Sequence, residues 1–150
     1  MAMIDTREYL DTLRGIVEEG HEASMVIAGN SMSPFLIHQR DVICFRKPDG
    51  PLRVGDMVFY QRRSGRFVMH RICRVRPEGF YLVGDAQTEM EGPISRDQIF
   101  ARIVKVRRKD KWMEPGSFWW EFFARVWIRV IPLRPVFICL GGLLHRRKSG

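Results

Sequence analysis

The centre of the sequence consists of short apolar runs separated by breaks rich in Gly, Pro, Asp and Ser. Successive side chains of a β-strand point to opposite faces, so runs of this length and roughly alternating period are typical of strands. One break, QRRSGR, has Ser64 and Gly65 at its middle and predicts a hairpin connection. The sequence therefore predicts a mainly β, largely antiparallel centre. Its runs are SMVIA, DVICF, DMVFY, RFVMHRICRV, FYLV and QIFARIVKV.

Ahead of these runs, residues 5 to about 19 predict an amphipathic helix, because apolar residues recur on one face at helical spacing. Asp5 or Thr6 can accept hydrogen bonds from the free N–H groups of the first turn, and Gly20 can end the helix. The same segment is acidic where a secretory signal needs a basic start and an apolar run. We therefore expect no export signal.

The size of the chain and its cysteines bound the class of protein. A chain of 150 residues suits one compact domain that needs no disulfide or structural metal. Cys44, Cys73 and Cys139 are odd in number and lack the short pair spacing of a zinc site or redox motif. We interpret them as reduced thiols of a cytoplasmic protein. Because no phosphate-cradling glycine loop is present either, we expect no cofactor and no metal.

The net charge of +8 is concentrated in the C-terminal part of the chain. Up to Val104 there are 14 basic and 14 acidic residues, and from Lys105 onward there are 11 basic and 3 acidic residues. A neutral body with a basic, aromatic appendage differs from a nucleic-acid-binding protein that is basic throughout. We expect no nucleic-acid partner.

The appendage starting near Gly116 predicts a helix that does not cross a membrane. Every window of about 20 residues, the length of a bilayer span, contains an arginine. Arg125 and Arg129 lie four residues apart and share a helical face, and Pro132 and Pro135 would end the helix. Two alternatives have equal support: a helix that docks on a membrane interface or a partner, and a helix that packs on the β core.

These patterns divide the chain into three segments. Residues 1–22 are predicted to form the N-terminal helix, and residues 23–114 the β domain. Residues 115–150 are predicted to form the basic, aromatic and amphipathic C-terminal helix.

The segment AGNSMSPFL, residues 28–36, is the first candidate for chemistry, since it places Ser31 in a turn-forming stretch. A serine hydroxyl is a poor nucleophile until a base removes its proton. His70 is the candidate base: it lies within FVMHRICRV, on the strand face shared by Val68 and Ile72. A polar ring on an apolar face needs a hydrogen-bond partner, and taken alone it is more commonly a core histidine than a base.

Four segments in order resemble the signal peptidase I superfamily, which includes the LexA-type self-cleaving repressors. They are GNSMSPFL, RVGDMVFY, FVMHRICRV and YLVGDAQTEMEG, within residues 24 to 106. Members carry a Ser-Met-x-Pro nucleophile segment, a Gly-Asp that opens a strand, a strand bearing the general base, and a later Gly-Asp. Bacterial signal peptidases and LexA-type proteins have lysine as the base, whereas His70 followed by Arg71 is similar to the endoplasmic-reticulum and archaeal type. The resemblance implies a signal-peptidase/LexA-like antiparallel β fold with an N-terminal helix and a C-terminal amphipathic helix.

The resemblance also implies roles for individual residues. Ser31 would be the acylating nucleophile, with its own N–H helping to bind the oxyanion, and His70 would be the general base that later protonates the leaving amine. The His-type relatives continue their Gly-Asp with two asparagines and then a pair of aspartates, whereas this chain reads GDAQTEMEG. Glu91 falls where the second aspartate would be and is the expected orienting acid. Asp85 is expected to be a structural or alternative acid.

Three further residues of these segments are expected to have roles other than catalysis. Ser33 occupies the variable place before Pro34 in the family pattern, although its hydroxyl is an alternative nucleophile. Asp56 is expected to be a turn or strand-start residue, since Gly-Asp is a common way to begin a strand. Met32 is expected to pack near the substrate cleft.

The predicted function is a serine endopeptidase that cleaves a peptide or protein precursor through a Ser/His dyad or a Ser/His/acid triad. Secretory signal peptidases have an N-terminal transmembrane segment where this chain has an acidic helix. We therefore expect a cytoplasmic peptidase, peripheral on the inner membrane face, whose C-terminal helix contacts an anionic membrane or a partner protein. The alternative is a non-catalytic module that binds a leader peptide in the same cleft. A LexA-type regulator ranks third, because one N-terminal helix does not supply a helix-turn-helix.

Overall fold

A computed structural model describes residues 6–29 and 31–128 of the chain. Several residues of the sequence predictions lie outside this described part: Asp5, Arg129, Pro132, Pro135 and Cys139. The predicted C-terminal segment 115–150 is therefore described only as far as Ile128.

The described chain is mainly β, as the sequence predicts, with a helix at its start and a short helix at its end. The N-terminal helix α1 spans Thr6–Glu18, within the predicted range. The strands are β1 Ala23–Val26, β2 Val42–Arg46, β3 Met57–Gln61, β4 Phe67–Arg76, β5 Gly79–Val83, β6 Glu91–Ile94, β7 Ile99–Arg108 and β8 Lys111–Met113. Helix α2 spans Phe118–Glu121 and continues as a wider helical turn over Phe122–Val126.

The strands form one antiparallel sheet in the order β1-β2-β7-β3-β4-β5-β6, with β8 paired to β7. The hairpin predicted at QRRSGR connects β3 to β4, with Tyr60 opposite Val68 and Val58 opposite His70. The turn is closed by a 2.8 Å hydrogen bond from the Arg62 N–H to the Arg66 carbonyl. Tyr60 lies two residues from Val58 along β3, and Val58 is opposite His70. This register therefore places Tyr60 and His70 on the same face of the sheet.

Apolar side chains pack on both faces of the sheet. Along β3, Met57 and Phe59 join the larger core cluster, whereas Val58 and Tyr60 join the smaller one. Since neighbouring residues of a strand point to opposite faces, the two clusters lie on opposite sides of β3. Helix α1 contributes Leu13 to the larger cluster. The sheet is thereby held between two apolar layers.

Strand edges without a paired strand among the described residues include those of β1, β6 and part of β4. Strand β1 ends the order of the sheet, so only its β2 side is paired. Strand β4 pairs with β3 from Phe67 onward, but its pairing with β5 begins at Arg71. One edge of β4 is therefore open along 67–70, next to the candidate base.

The C-terminal helical segment packs on the β core and also leaves an aromatic surface exposed. Trp120, Phe123 and Trp127 are buried in the larger cluster, as the core-packing alternative predicts. Phe118 and Trp119 are 73% and 44% exposed, so the segment also presents apolar surface outward. Within residues 6–29 and 31–128, no helix has the length and hydrophobicity that crossing a bilayer requires.

Candidate active site

A cleft of about 510 Å³ is lined by residues that include parts of β1, β4 and the loop after β1. The loop after β1 contributes Ser31 and Met32 to its wall, and β4 contributes residues 67–70. The structure thus places the two residues of the predicted dyad, Ser31 and His70, in the lining of one cleft. Met32 is 2% exposed and packs there as expected.

The Ser31 loop is held by hydrogen bonds on both sides of Ser31. The Ser31 carbonyl accepts a 2.9 Å hydrogen bond from the Ala86 N–H. Gly84 allows this close approach, because a Cβ at that position would collide with the Ser31 carbonyl oxygen. On the other side, the Gly29 N–H donates a 2.7 Å hydrogen bond to Nδ1 of His38. His38, which is close to Ser31 in sequence, therefore supports the loop that carries it.

His70 is held as a neutral imidazole within the sheet. The side chain is 5% exposed on β4, opposite Val58. Burial, reinforced by the nearby Arg62 charge and opposed by the Glu91 carboxylate, lowers the pKa of His70 to about 4. The ring is therefore uncharged near neutral pH and has one nitrogen able to accept a proton.

Glu91 reaches His70 through a tyrosine. The Tyr60 hydroxyl lies 3.2 Å from Nδ1 of His70 and donates a 2.5 Å hydrogen bond to Oε2 of Glu91. Arg62 donates from Nε to Oε1 at 2.7 Å and from Nη2 to Oε2 at 2.9 Å. Burial opposes ionisation of Glu91, but the hydrogen bonds from Arg62 and Tyr60 outweigh it and lower the pKa of the carboxyl. Glu91 is an anion connected to the candidate base by one hydroxyl.

Asp85 has different partners. Its buried carboxylate accepts two 2.9 Å hydrogen bonds from Nε and Nη2 of Arg71, and Nη1 of Arg71 donates to the Gly55 carbonyl at 2.9 Å. The indole N–H of Trp127 donates to the Asp85 carbonyl at 2.7 Å. Because Ala86 follows directly and binds Ser31, Asp85 anchors the segment that supports the candidate nucleophile. This geometry corresponds to the structural role among the two expected for Asp85.

The other sequence candidates lie outside the chemistry of the cleft. The Asp56 carboxylate accepts a 2.9 Å hydrogen bond from the Arg53 N–H directly before β3, which confirms a residue of the turn at the strand start. In the described residues the His70 ring has its hydrogen bond with Tyr60 and not with Ser31. Hydrogen bonds of a catalytic pair are often formed only when substrate is bound.

Sequence reasoning missed Tyr60 and Arg62. The predicted hairpin contains a signal for the first: pairing about Ser64 and Gly65 already puts Tyr60 on the face of His70. Its link to Glu91 depends on β6, which the sequence does not predict. Within the described parts of the chain, no cluster of three or more His, Cys, Asp or Glu side chains could hold a metal ion.

Comparisons with known proteins find no family model, no curated protein and no solved structure that matches this chain. The resemblance to the signal peptidase I superfamily therefore remains a prediction based on the four ordered segments.

Proposed function

We propose that the protein is a serine endopeptidase in which Ser31 is the nucleophile and His70 the general base. The observation that carries the proposal is the shared cleft: Ser31 and His70 are both among its lining residues, and hydrogen bonds hold the Ser31 loop and the His70 ring in place. A neutral histidine in a cleft with a serine is the combination that acyl transfer needs.

In the proposed reaction, the Ser31 Oγ bonds to the carbonyl carbon of the scissile peptide while the His70 ring takes the hydroxyl proton. Collapse of the tetrahedral intermediate breaks the C–N bond, and the imidazolium returns that proton to the leaving amine. Water then attacks the acyl-enzyme, with His70 accepting a proton from the water and passing it back to Oγ. No net proton or electron is required beyond hydrolysis.

The cleft favours an extended peptide as substrate. The open edges of β1 and of residues 67–70 offer backbone groups with which an added strand can pair. Alternate side chains of such a strand would face an apolar lining that includes Met25, Phe59 and Met69. These features support a peptide or protein precursor as the substrate.

The proposal keeps a cytoplasmic location with peripheral contact to an anionic membrane. Phe118 and Trp119 are exposed on the C-terminal helical segment, and Arg125 is 78% exposed close by in sequence. Aromatic and basic side chains together are typical of surfaces that lie at a membrane interface.

A non-catalytic peptide-binding module is the second candidate. It is favoured by the hydrogen bond of His70 to Tyr60 and not to Ser31, and by open strand edges that bind peptide with or without chemistry. Such a module would need neither the hydroxyl of Ser31 nor a neutral imidazole at His70.

A fluorophosphonate that reacts with activated serines tests the proposal. We expect an adduct on Ser31, located by mass spectrometry of a proteolytic digest, that is lost in His70→Ala and retained in the matched control Ser33→Ala. Circular dichroism would verify the fold of each variant. Absence of adduct in folded wild-type protein would contradict the peptidase, and an adduct on Ser33 would contradict the assignment of Ser31 as the nucleophile; peptide binding without adduct would support the binding module.

A further inference from the structure

We propose that Tyr60 is a positioning residue: its hydroxyl connects the Glu91 carboxylate to His70 and fixes the imidazole in the tautomer with the proton on Nδ1. The catalytic part of this inference rests on the proposed function. The tautomer itself is a property of the folded protein and can be measured without any substrate.

Glu91, Tyr60 and His70 form a row of three groups with few protons to share. Glu91 is held ionised by two hydrogen bonds from Arg62, so both of its oxygens can only accept. Tyr60 has a single hydroxyl proton, and the 2.5 Å contact with Oε2 of Glu91 uses it. The Tyr60 oxygen is then left with acceptor capacity alone.

The direction of the next hydrogen bond follows. Nδ1 of His70 lies 3.2 Å from that oxygen, and two acceptors cannot form a hydrogen bond. Nδ1 must therefore carry the ring proton. Because a neutral imidazole has only one, Nε2 retains its lone pair and is the basic nitrogen.

Burial of Tyr60 strengthens the preference for this direction of the hydrogen bonds from His70 to Tyr60 and from Tyr60 to Glu91. Tyr60 is 0% exposed and its ring packs in the smaller core cluster, so water does not compete at the hydroxyl as it would at the surface. Burial and the Glu91 carboxylate raise the pKa of Tyr60, which keeps the hydroxyl protonated. The hydroxyl can therefore relay the influence of the acid without giving up its proton.

The same chain of contacts assigns a function to Glu91. When His70 takes a proton on Nε2, the imidazolium continues to donate from Nδ1 to Tyr60, and Tyr60 continues to donate to the anion. The carboxylate thus stabilises the imidazolium from beyond the hydroxyl, while Arg62 fixes the carboxylate but repels the imidazolium. Tyr60 and Arg62 complete the role that the sequence assigns to Glu91 alone.

Nitrogen NMR of protein labelled at histidine tests the tautomer directly, since the protonated and unprotonated nitrogens of a neutral imidazole have widely separated shifts. We expect the His70 proton on Nδ1 in the wild type at neutral pH. Tyr60→Phe removes the acceptor but keeps the ring, and should abolish this preference. Tyr81→Phe is the matched control: it removes a hydroxyl that bonds Glu78 at 3.0 Å, away from the cleft, and should leave the His70 spectrum unchanged.

Glu91→Gln provides a second variant in case Tyr60→Phe does not fold. A carboxamide can donate as well as accept, so it no longer forces the direction of the Tyr60 hydroxyl, and the Nδ1 preference should weaken. A wild-type proton on Nε2, or an unchanged tautomer in both folded variants, would overturn the inference.

Steady-state kinetics test whether Tyr60 and Glu91 contribute to catalysis through His70. Tyr60→Phe and Glu91→Gln should each lower kcat about 100-fold with little change in KM, the size expected when a general base loses its correct protonation state. Equal kcat in wild type and variants would refute the positioning role. Labelling of Ser31 with the wrong tautomer would refute this inference alone, and the expected tautomer without labelling would refute the proposed function alone.

Discussion

Two arginine–carboxylate pairs flank the candidate base, with the same chemistry in different surroundings. In both, the guanidinium donates two hydrogen bonds to the two carboxylate oxygens. The side chains of Arg71 and Asp85 are 0% exposed, whereas those of Arg62 and Glu91 are 33% and 30% exposed. Only Glu91 is connected to His70, through Tyr60.

The environment of each acid, and not its residue type, therefore determines what the acid can do. A fully buried pair contributes through the cost of breaking it, because the remaining charge is left without water. A partly exposed pair contributes little stability, because water solvates either partner when the other is removed. Glu91 can therefore influence His70 through Tyr60, whereas both oxygens of the Asp85 carboxylate are bound by Arg71.

The largest effect is expected from Asp85→Asn. The isosteric change leaves the Arg71 guanidinium buried without a counter-charge, and should lower the free energy of unfolding by about 3–5 kcal/mol. Urea denaturation followed by circular dichroism measures it. A loss of less than about 1 kcal/mol would mean that water or another acid reaches Arg71.

Acidification should lower the free energy of unfolding through His70, the residue to which the Arg62–Glu91 pair is connected. Its pKa is lowered to about 4 in the folded protein from 6.5, so between these values the unfolded chain binds more protons and stability falls as the pH falls. The free energy of unfolding should drop by about 2 kcal/mol between pH 7.5 and pH 5. His70→Asn, which keeps a donor towards Tyr60, should remove most of this drop; His21→Gln, at an exposed histidine, should not. An equal drop in His70→Asn would contradict the assignment.

Glu91→Gln is the matched counterpart of Asp85→Asn. Since Arg62 and Glu91 are both about one third exposed, the free energy of unfolding should change by about 1 kcal/mol or less. The same urea titration compares the two variants. Destabilisation as large as that of Asp85→Asn would remove the distinction between the pairs.

The smallest effect concerns salt. Mobile ions screen exposed charges far more than buried ones. Raising NaCl to 1 M should reduce the stability difference between wild type and Glu91→Gln by a few tenths of a kcal/mol. The difference between wild type and Asp85→Asn should stay constant. A salt-sensitive Asp85 difference would indicate that the Arg71 pair is accessible to solvent.

Most strands could be predicted because their apolar runs are long and end at strong breaks. Strands β6 and β8 could not. The first contains Gly92 and Pro93, residue types that are depleted in strands, and the second has only three residues. Since β6 places Glu91, the hydrogen-bonded connection from Glu91 through Tyr60 to His70 could not be predicted either.

The candidate site was predictable to the extent that it depends on sequence order and register. Ser31 and His70 follow from the ordered segments, and Tyr60 could have followed from the hairpin register. The arginine partners of Asp85 and Glu91 could not be predicted, because they depend on which arginine the folded chain places beside each carboxylate. For the C-terminal helix, periodicity separates the faces but does not reveal what covers them, and Trp120 and Phe123 were found in the core only from the structure.

The hydrogen bond from Trp127 to the Asp85 carbonyl ties the end of the described chain to the peptide segment that holds Ser31. Truncating the protein before Trp127 would therefore disturb the loop of the candidate nucleophile as well as expose apolar surface. The helical segment that reaches Trp127 braces this loop through Asp85, and a ligand that displaced the segment would change the environment of a serine that it never contacts.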